Sequence, residues 1–148
     1  MKGVKNGKNT NELLDILKSC SNPTHLKEAL DLLPESGSQT LSNYLAQLLA
    51  EKGLSRAKVI QQANLARAYG YQIFQGEKQP SRDKLLAIAF AMHLSLDECN
   101  RMLTLAHANI LYSKNRRDAI LIYGLSKGIS IYEVNDLLLS VEEEALNG

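Results

Sequence analysis

The polar side chains between Leu65 and Arg82 (LARAYGYQIFQGEKQPSR) are of types that hydrogen-bond to nucleic-acid bases and phosphates. A guanidinium such as that of Arg67 pairs bidentately with guanine, and a carboxamide such as that of Gln72 pairs with adenine. The methyl group of Ala68 can contact thymine, and the hydroxyl of Tyr71 can hydrogen-bond to a phosphate. Placed on one helix, these side chains could recognise base edges in the major groove of DNA, because that groove admits an α-helix.

The formal net charge of the chain is only +1, but its basic residues are unevenly distributed. Residues 1–53 hold six basic and six acidic side chains, residues 54–84 hold six and two, and residues 85–148 hold five and eight. The central segment therefore has a local excess of positive charge, which is typical of a surface that faces phosphates.

The remaining composition argues against several other classes of protein. No apolar run approaches the roughly 20 residues that span a bilayer, and the first residues lack the apolar core of a signal peptide. We therefore expect a cytoplasmic protein without a membrane partner. Cys20 and Cys99 are isolated, and His25, His93 and His107 are scattered along the chain. We accordingly expect no metal site, no cofactor and no catalytic residues, and we interpret the protein as non-enzymatic.

Helical periodicity dominates the sequence and predicts an all-α fold. Residues 1–10 are rich in Lys, Gly and Asn and are interpreted as a tail. Helices are expected over residues 11–19 and from Pro23 to about Leu33. The segment Pro34–Thr40 (PESGSQT) has the composition of a linker, so residues 1–39 are interpreted as an N-terminal tail and helical appendage.

Beyond residue 40 the sequence predicts closely spaced helices with recognisable ends. Ser95 with Glu98, and Ser130 with Glu133, are expected to form capping boxes. Residues Thr40 and Ser55 are expected to cap helix N-termini, and Gly53 and Gly76 to terminate helices. The helices are predicted to run from Thr40 to 52, from Ser55 to 63, and over 65–75, 82–93, 95–108, 116–127 and 131–139.

Two short helices joined by a tight turn, within a bundle of about five, have the outline of a helix-turn-helix domain. The segment Leu54–Pro80 (LSRAKVIQQANLARAYGYQIFQGEKQP) resembles the λ repressor/Cro (XRE-type) helix-turn-helix family. The matching features fall without a gap and are Leu54-Ser55, Val59, Ala63, Leu65, Ile73-Phe74, Gly76, Lys78 and Pro80. The resemblance covers about residues 40–105. It implies a λ-repressor-like five-helix DNA-binding bundle over residues 40–108, with extra N-terminal and C-terminal helices.

The resemblance also implies which residues contact double-stranded DNA. Arg56, Arg67 and Gln72 match positions from which the family commonly contacts bases. Ser55, at a helix N-terminus, can offer its hydroxyl and backbone N–H groups to a phosphate. The candidate DNA-binding residues are Ser55, Arg56, Arg67, Ala68, Tyr71, Gln72, Gln75, Lys78 and Arg82, the last two as positive charges against the DNA backbone.

A helical wheel that starts at Leu65 separates an inner from an outer face of the segment 65–75. It places Leu65, Ala66, Tyr69 and Ile73 toward the core, with Gly70 at the edge of that arc. The outward arc holds Arg67, Ala68, Tyr71, Gln72 and Gln75.

Three residues depart from the family pattern. Asn64 occupies the turn position that is usually Gly, and it tolerates the same left-handed backbone. Ile60 stands where the family usually has Ala, and Gly70 stands where it usually has a β-branched residue. We expect Ile60 and Gly70 to contact each other, so that the larger side chain fills the space left by the absent one.

The C-terminal residues 109–148 are expected to add a helical pair. Its apolar residues are Ile120, Tyr123 and Leu125 in one helix and Ile131, Val134, Leu137 and Leu138 in the other. Two alternatives are open: these helices complete the core, or they bury against a second copy, since the family usually binds DNA as a dimer. For Arg116 and Arg117 we expect ion pairs with acidic residues rather than a bound phosphate.

The function implied by the resemblance is a sequence-specific, DNA-binding transcriptional regulator of bacterial or phage type, with residues 65–75 as the recognition helix. The alternative is a non-enzymatic protein-interaction module that keeps the helix-turn-helix fold without recognising DNA. In that case a protein partner would bind through the flanking helices.

Overall fold

The computed structural model describes Asp15 and residues 17–31 and 39–147. Over these residues the chain forms α-helices and no β-strand, which confirms the predicted all-α class. None of the described helices combines the length and the apolar character needed to cross a membrane. The helices are α1 (Pro23–Asp31), α2 (Leu41–Lys52), α3 (Arg56–Gln62), α4 (Arg67–Gln75), α5 (Arg82–Ala91), α6 (Leu96–Leu105), α7 (Arg116–Lys127) and α8 (Ile131–Ser140).

The chain separates into two compact units, Met1–Gln39 and Thr40–Gly148. In the first unit, the side-chain oxygen of Asn22 accepts a hydrogen bond from the backbone N–H of His25 at 2.8 Å, which caps the start of α1. The helix expected over 11–19, the end expected for α1 near residue 33 and the linker after it lie largely outside the described residues. Residues 109–148, which the sequence set apart, belong to the same compact unit as α2–α6.

Local capping chemistry determines where most helices of the second unit begin. The Thr40 side chain accepts a backbone N–H from the first turn of α2, as predicted. Ser95 and Glu98 bond reciprocally to each other's backbone at the start of α6, and Ser130 and Glu133 do the same at the start of α8. Both predicted capping boxes are therefore confirmed.

Two helices end earlier than the sequence predicted, and both end in the same way. Helix α5 stops at Ala91 rather than at His93, and α6 stops at Leu105 rather than at Ala108. His93 and His107 adopt left-handed backbone conformations, with φ angles of 53° and 59°. The backbone N–H group of the residue after each histidine donates to a carbonyl in the last turns of the helix, which forms a C-terminal cap. The left-handed position of such a cap is more often occupied by glycine.

Helix α5 is the centre of the core. Every residue from Leu85 to Ala91 is buried, and α3, α6 and α8 all contact this helix. A helical segment that is apolar on all sides, as Leu85–Ala91 is, requires this central position. Helix α7 also approaches closely, because a Cβ placed on Gly124 would lie 2.9 Å from Cε1 of Phe90 and 3.0 Å from Cγ2 of Val134.

The C-terminal helices α7 and α8 complete this core. Leu121, Leu125 and Val134 are buried in the same apolar cluster as α5. Tyr123 and Leu137 do not contribute to this core, because they are 52% and 38% exposed. Burial of these two side chains against a second copy, the other alternative, stays a prediction. The buried face of each of these two helices is therefore narrower than its full set of apolar residues.

Candidate nucleic-acid interface

A tight turn joins the two short helices α3 and α4. Asn64 adopts a left-handed conformation with φ of 60°, which is the backbone expected for this position of the turn. The backbone N–H of Asn64 donates to the carbonyl of Gln61 at 3.0 Å, and that of Leu65 donates to the carbonyl of Ile60 at 3.2 Å. Ala63 is fully buried beneath the turn, so a small residue is required there.

Helices α3 and α4 are in direct contact at Ile60 and Gly70. A Cβ placed on Gly70 would lie 2.5 Å from Cγ2, 2.7 Å from Cγ1 and 3.0 Å from Cδ1 of Ile60. The predicted contact is therefore confirmed: the Ile60 side chain occupies the space that a side chain at position 70 would need. Gly70 is buried rather than at the edge of the inner face.

The inner face of α4 differs from the one that the helical wheel predicted. The helix starts at Arg67, and Ala66 is its N-cap residue with φ of −59° and ψ of 138°. Ala66 is exposed, so the expectation that it faces the core is wrong. The residues buried on α4 are Gly70, Ile73 and Phe74, while Tyr69 is half-buried against the core. The predicted inner face was displaced because the wheel was centred on Leu65, and Leu65 and Ala66 precede the helix.

Arg56, Arg67 and Tyr71 form a cluster on the outer surface of the helix pair. The Cζ atom of Arg56 lies 5.0 Å from the centroid of the Tyr71 ring, and that of Arg67 lies 5.9 Å from it. Both arginines are exposed and the tyrosine is half-buried. Because Arg56 belongs to α3 and the other two residues belong to α4, the fold brings two sequence-predicted cations together around one aromatic ring.

The other candidate residues lie close to the members of this cluster along the chain, in or next to α3 and α4. The Ser55 hydroxyl accepts a backbone N–H from the first turn of α3 at 3.2 Å and is exposed. Ala68, Gln75 and Lys78 are exposed, whereas Gln72 is half-buried. The carbonyl oxygen of Gln72 accepts the backbone N–H of Lys78 at 3.3 Å, which ties that lysine to the end of α4.

Arg82 has a different role from the one that the sequence suggested. Its Nη1 and Nη2 donate to the two carboxylate oxygens of Asp118 at 3.1 and 2.9 Å, and Asp118 is only 6% exposed. Arg82 also donates to the backbone carbonyls of Asn109 and Ile110 at 2.9 and 3.2 Å. Its guanidinium is therefore committed to holding α7 and the loop before it, and we exclude Arg82 from the candidate interface.

A second ion pair runs in the reverse direction between the same two helices. Nη1 and Nη2 of Arg117 on α7 donate to the two carboxylate oxygens of Asp83 on α5 at 2.9 and 3.1 Å. The hydrogen bond with Asp83 raises the pKa of Arg117. Arg116 lies 3.6 Å from the carboxylate of Glu143. The expectation that Arg116 and Arg117 form ion pairs is confirmed.

An apolar hollow of about 350 Å³ lies beside the cluster. It is lined by Ala57, Ile60 and Gln61 of α3, by Leu65 of the turn and by Arg67. The hollow is large enough to receive an apolar group of a ligand next to a positive charge.

The described residues contain no group of three or more His, Cys, Asp or Glu placed to hold a metal ion. Cys99 is buried, and that burial raises the pKa of its thiol to about 12, so it is a poor nucleophile.

No family model, curated protein or solved structure matches this chain.

Proposed function

We propose that this chain is a sequence-specific DNA-binding regulator of transcription, of the bacterial or phage type. The observation that carries the proposal is the exposed pair of guanidinium groups, Arg56 on α3 and Arg67 on α4, gathered around the ring of Tyr71. Both arginines belong to the segment Leu54–Gly76, which contains basic residues and no acidic one. A positive helical surface of this kind complements the phosphates and guanine edges of duplex DNA.

Within this proposal, helices α2–α6 form a λ-repressor-like five-helix bundle. Three features support the assignment: α3 and α4 are short, their turn contains a left-handed Asn64, and α5, which is buried from Leu85 to Ala91, packs against α3. In such a bundle the second helix of the pair enters the major groove, and residues near its N-terminus contact base edges.

Individual residues have distinct roles in this binding mode. Arg67, the first residue of α4, donates to O6 and N7 of a guanine, and Gln72 pairs with an adenine. Ala68 contacts a thymine methyl group. Ser55 donates its hydroxyl to a phosphate, and Lys78 contributes positive charge beside the DNA backbone.

The proposal is tested by titrating the chain against random-sequence duplexes at 50 and 200 mM salt, followed by sequencing of the bound DNA. Binding should weaken as salt rises, because neutralised phosphates release counterions. The bound sequences should converge on a motif. Arg67→Ala should weaken binding to that motif by about 10- to 100-fold and relax the preference at one base pair.

A matched control is Arg101→Ala. Arg101 is also an exposed helical arginine over a tyrosine, with its Cζ 5.7 Å from the ring centroid of Tyr44, but it lies on α6. This variant should bind as the wild type does. If the wild type fails to bind duplex DNA at 50 mM salt, or if both arginine variants bind equally well, the proposal is wrong.

The apolar hollow beside Arg67 favours a second candidate function, a protein-interaction module with the same fold. Ala57 of α3 and Leu65 of the turn contribute apolar surface to this hollow beside Arg67, the first residue of α4. A chain of this kind would not bind duplex DNA in the titration at either salt concentration.

A further inference from the structure

We propose that Tyr71 is a positioning residue that holds the guanidinium groups of Arg56 and Arg67 together as one anion-recognising unit. The ring achieves this through its face and not through its hydroxyl. The inference rests on the proposed DNA-binding function, and it adds a role for a residue that the sequence suggested as a phosphate contact.

The first step of the argument is the geometry of the three side chains. Both guanidinium carbons lie within 6 Å of the same ring centroid, at 5.0 and 5.9 Å, which is the range of cation–π attraction. Among the described residues, neither guanidinium has an ion pair or a hydrogen bond, so the Tyr71 ring is the contact that orients both.

The second step is the rigidity of the ring itself. Tyr71 is half-buried and packs against the core, whereas Arg56 and Arg67 are exposed. Long exposed side chains lose conformational entropy when they bind, and a fixed aromatic surface removes part of that loss in advance. Two like charges beside one ring also repel each other, and the negative charge of the ring's π-system offsets that repulsion.

The third step is the chemistry that the unit recognises. Guanidinium groups present flat arrays of N–H donors that fit phosphate oxygens or the O6 and N7 atoms of guanine. Because the two groups come from α3 and α4, the unit depends on the contact between these helices at Ile60 and Gly70.

The test compares Tyr71→Phe with Tyr71→Leu. Phenylalanine keeps the aromatic face and loses the hydroxyl, whereas leucine keeps an apolar side chain and loses the face. We expect Phe to bind the selected duplex within twofold of wild type and Leu to weaken binding about five- to tenfold, since each exposed cation–π contact corresponds to about two- to fivefold. In an Arg56→Ala/Arg67→Ala background, the Leu substitution should have no further effect.

A second readout does not require DNA. The ring current of Tyr71 should shift the Nε–H resonances of Arg56 and Arg67 in NMR spectra of the free protein. These shifts should persist in Tyr71→Phe and disappear in Tyr71→Leu. Tyr69→Leu, the same change two residues away over Lys84, is the matched control and should leave the two arginine resonances in place.

The possible outcomes separate this inference from the function on which it rests. If the wild type does not bind DNA, the proposed function fails and the inferred role of the unit fails with it. If the wild type binds and Arg67→Ala weakens binding, but Tyr71→Leu binds as tightly as wild type, only the positioning role is overturned. Equal losses in Phe and Leu would instead assign the effect to the hydroxyl and would also overturn it.

Discussion

Adding a single methyl group at Gly70 should destabilise the fold, although alanine is a better helix former than glycine. In Gly70→Ala the new Cβ would lie 2.5 and 2.7 Å from two carbons of Ile60, about 1 Å closer than ordinary carbon contacts. Ile60 is only 2% exposed, and both of these carbons are bonded to its Cβ, so the close contact lies near the backbone of α3. Overpacking of this kind costs about 3 kcal/mol at the upper end of the usual range. Helix propensity offsets about 1 kcal/mol, which leaves a net loss of about 2 kcal/mol in unfolding free energy.

Urea and thermal unfolding of the full chain would measure this loss, which corresponds to a fall in Tm of roughly 6–12 °C. Two second-site variants locate its cause. Ile60→Val keeps both of the close carbons, so Gly70→Ala should remain destabilising in that background. Ile60→Ala removes them, and there Gly70→Ala should become neutral or stabilising. A Gly70→Ala chain as stable as wild type, or an equal effect in the Val and Ala backgrounds, would refute the inferred helix contact.

Two other predictions concern the buried ionisable groups. Asp118→Asn should lower the unfolding free energy by about 2 kcal/mol, because it leaves the Arg82 guanidinium without its carboxylate. Glu143→Gln breaks the longer and more exposed ion pair with Arg116, and it should change the unfolding free energy by less than about 0.5 kcal/mol. Equal effects of the two substitutions would contradict the assignment of Arg82 and Asp118 as a core ion pair. The raised pKa of Cys99, about 12 against an unfolded value near 8.5, means that the folded chain retains the thiol proton more tightly. Its contribution is complete below about pH 8.5 and should be lost toward pH 12, at up to about 1.4 kcal/mol per pH unit. The stability difference between wild type and Cys99→Ala should therefore shrink as pH rises, and a constant difference would contradict the prediction.

The helices could be predicted from the sequence because their ends depend on neighbouring residues. Helix α7 was predicted over 116–127 and has those bounds, and both serine–glutamate capping boxes formed as expected. The ends of α5 and α6 were missed because His93 and His107 occupy positions where glycine or asparagine is the usual signal. Histidine is a weaker signal of such an end, although it adopts this backbone more often than most residues do.

The candidate site could be predicted only in part. The contact between Ile60 and Gly70 followed from two complementary departures in side-chain volume. The role of Arg82 could not be predicted, because its partner Asp118 is 36 residues away and is brought near only by the packing of α7. A weak signal exists in hindsight, since Arg82-Asp83 and Arg117-Asp118 have the same order of charges and both lie in the first turn of a helix.

The pairing of Arg82 also changes the meaning of the central excess of positive charge. Arg82 and Asp83 are engaged with α7, and Lys84 is half-buried over the Tyr69 ring. The exposed cations of this segment are therefore Arg56, Lys58, Arg67 and Lys78. If all four neutralise phosphates, one copy of the chain should give a salt slope no steeper than about −4. Two copies on a two-fold site would approach twice that value. The slope obtained in the salt titration therefore distinguishes one copy of the chain on the DNA from two copies on a two-fold site.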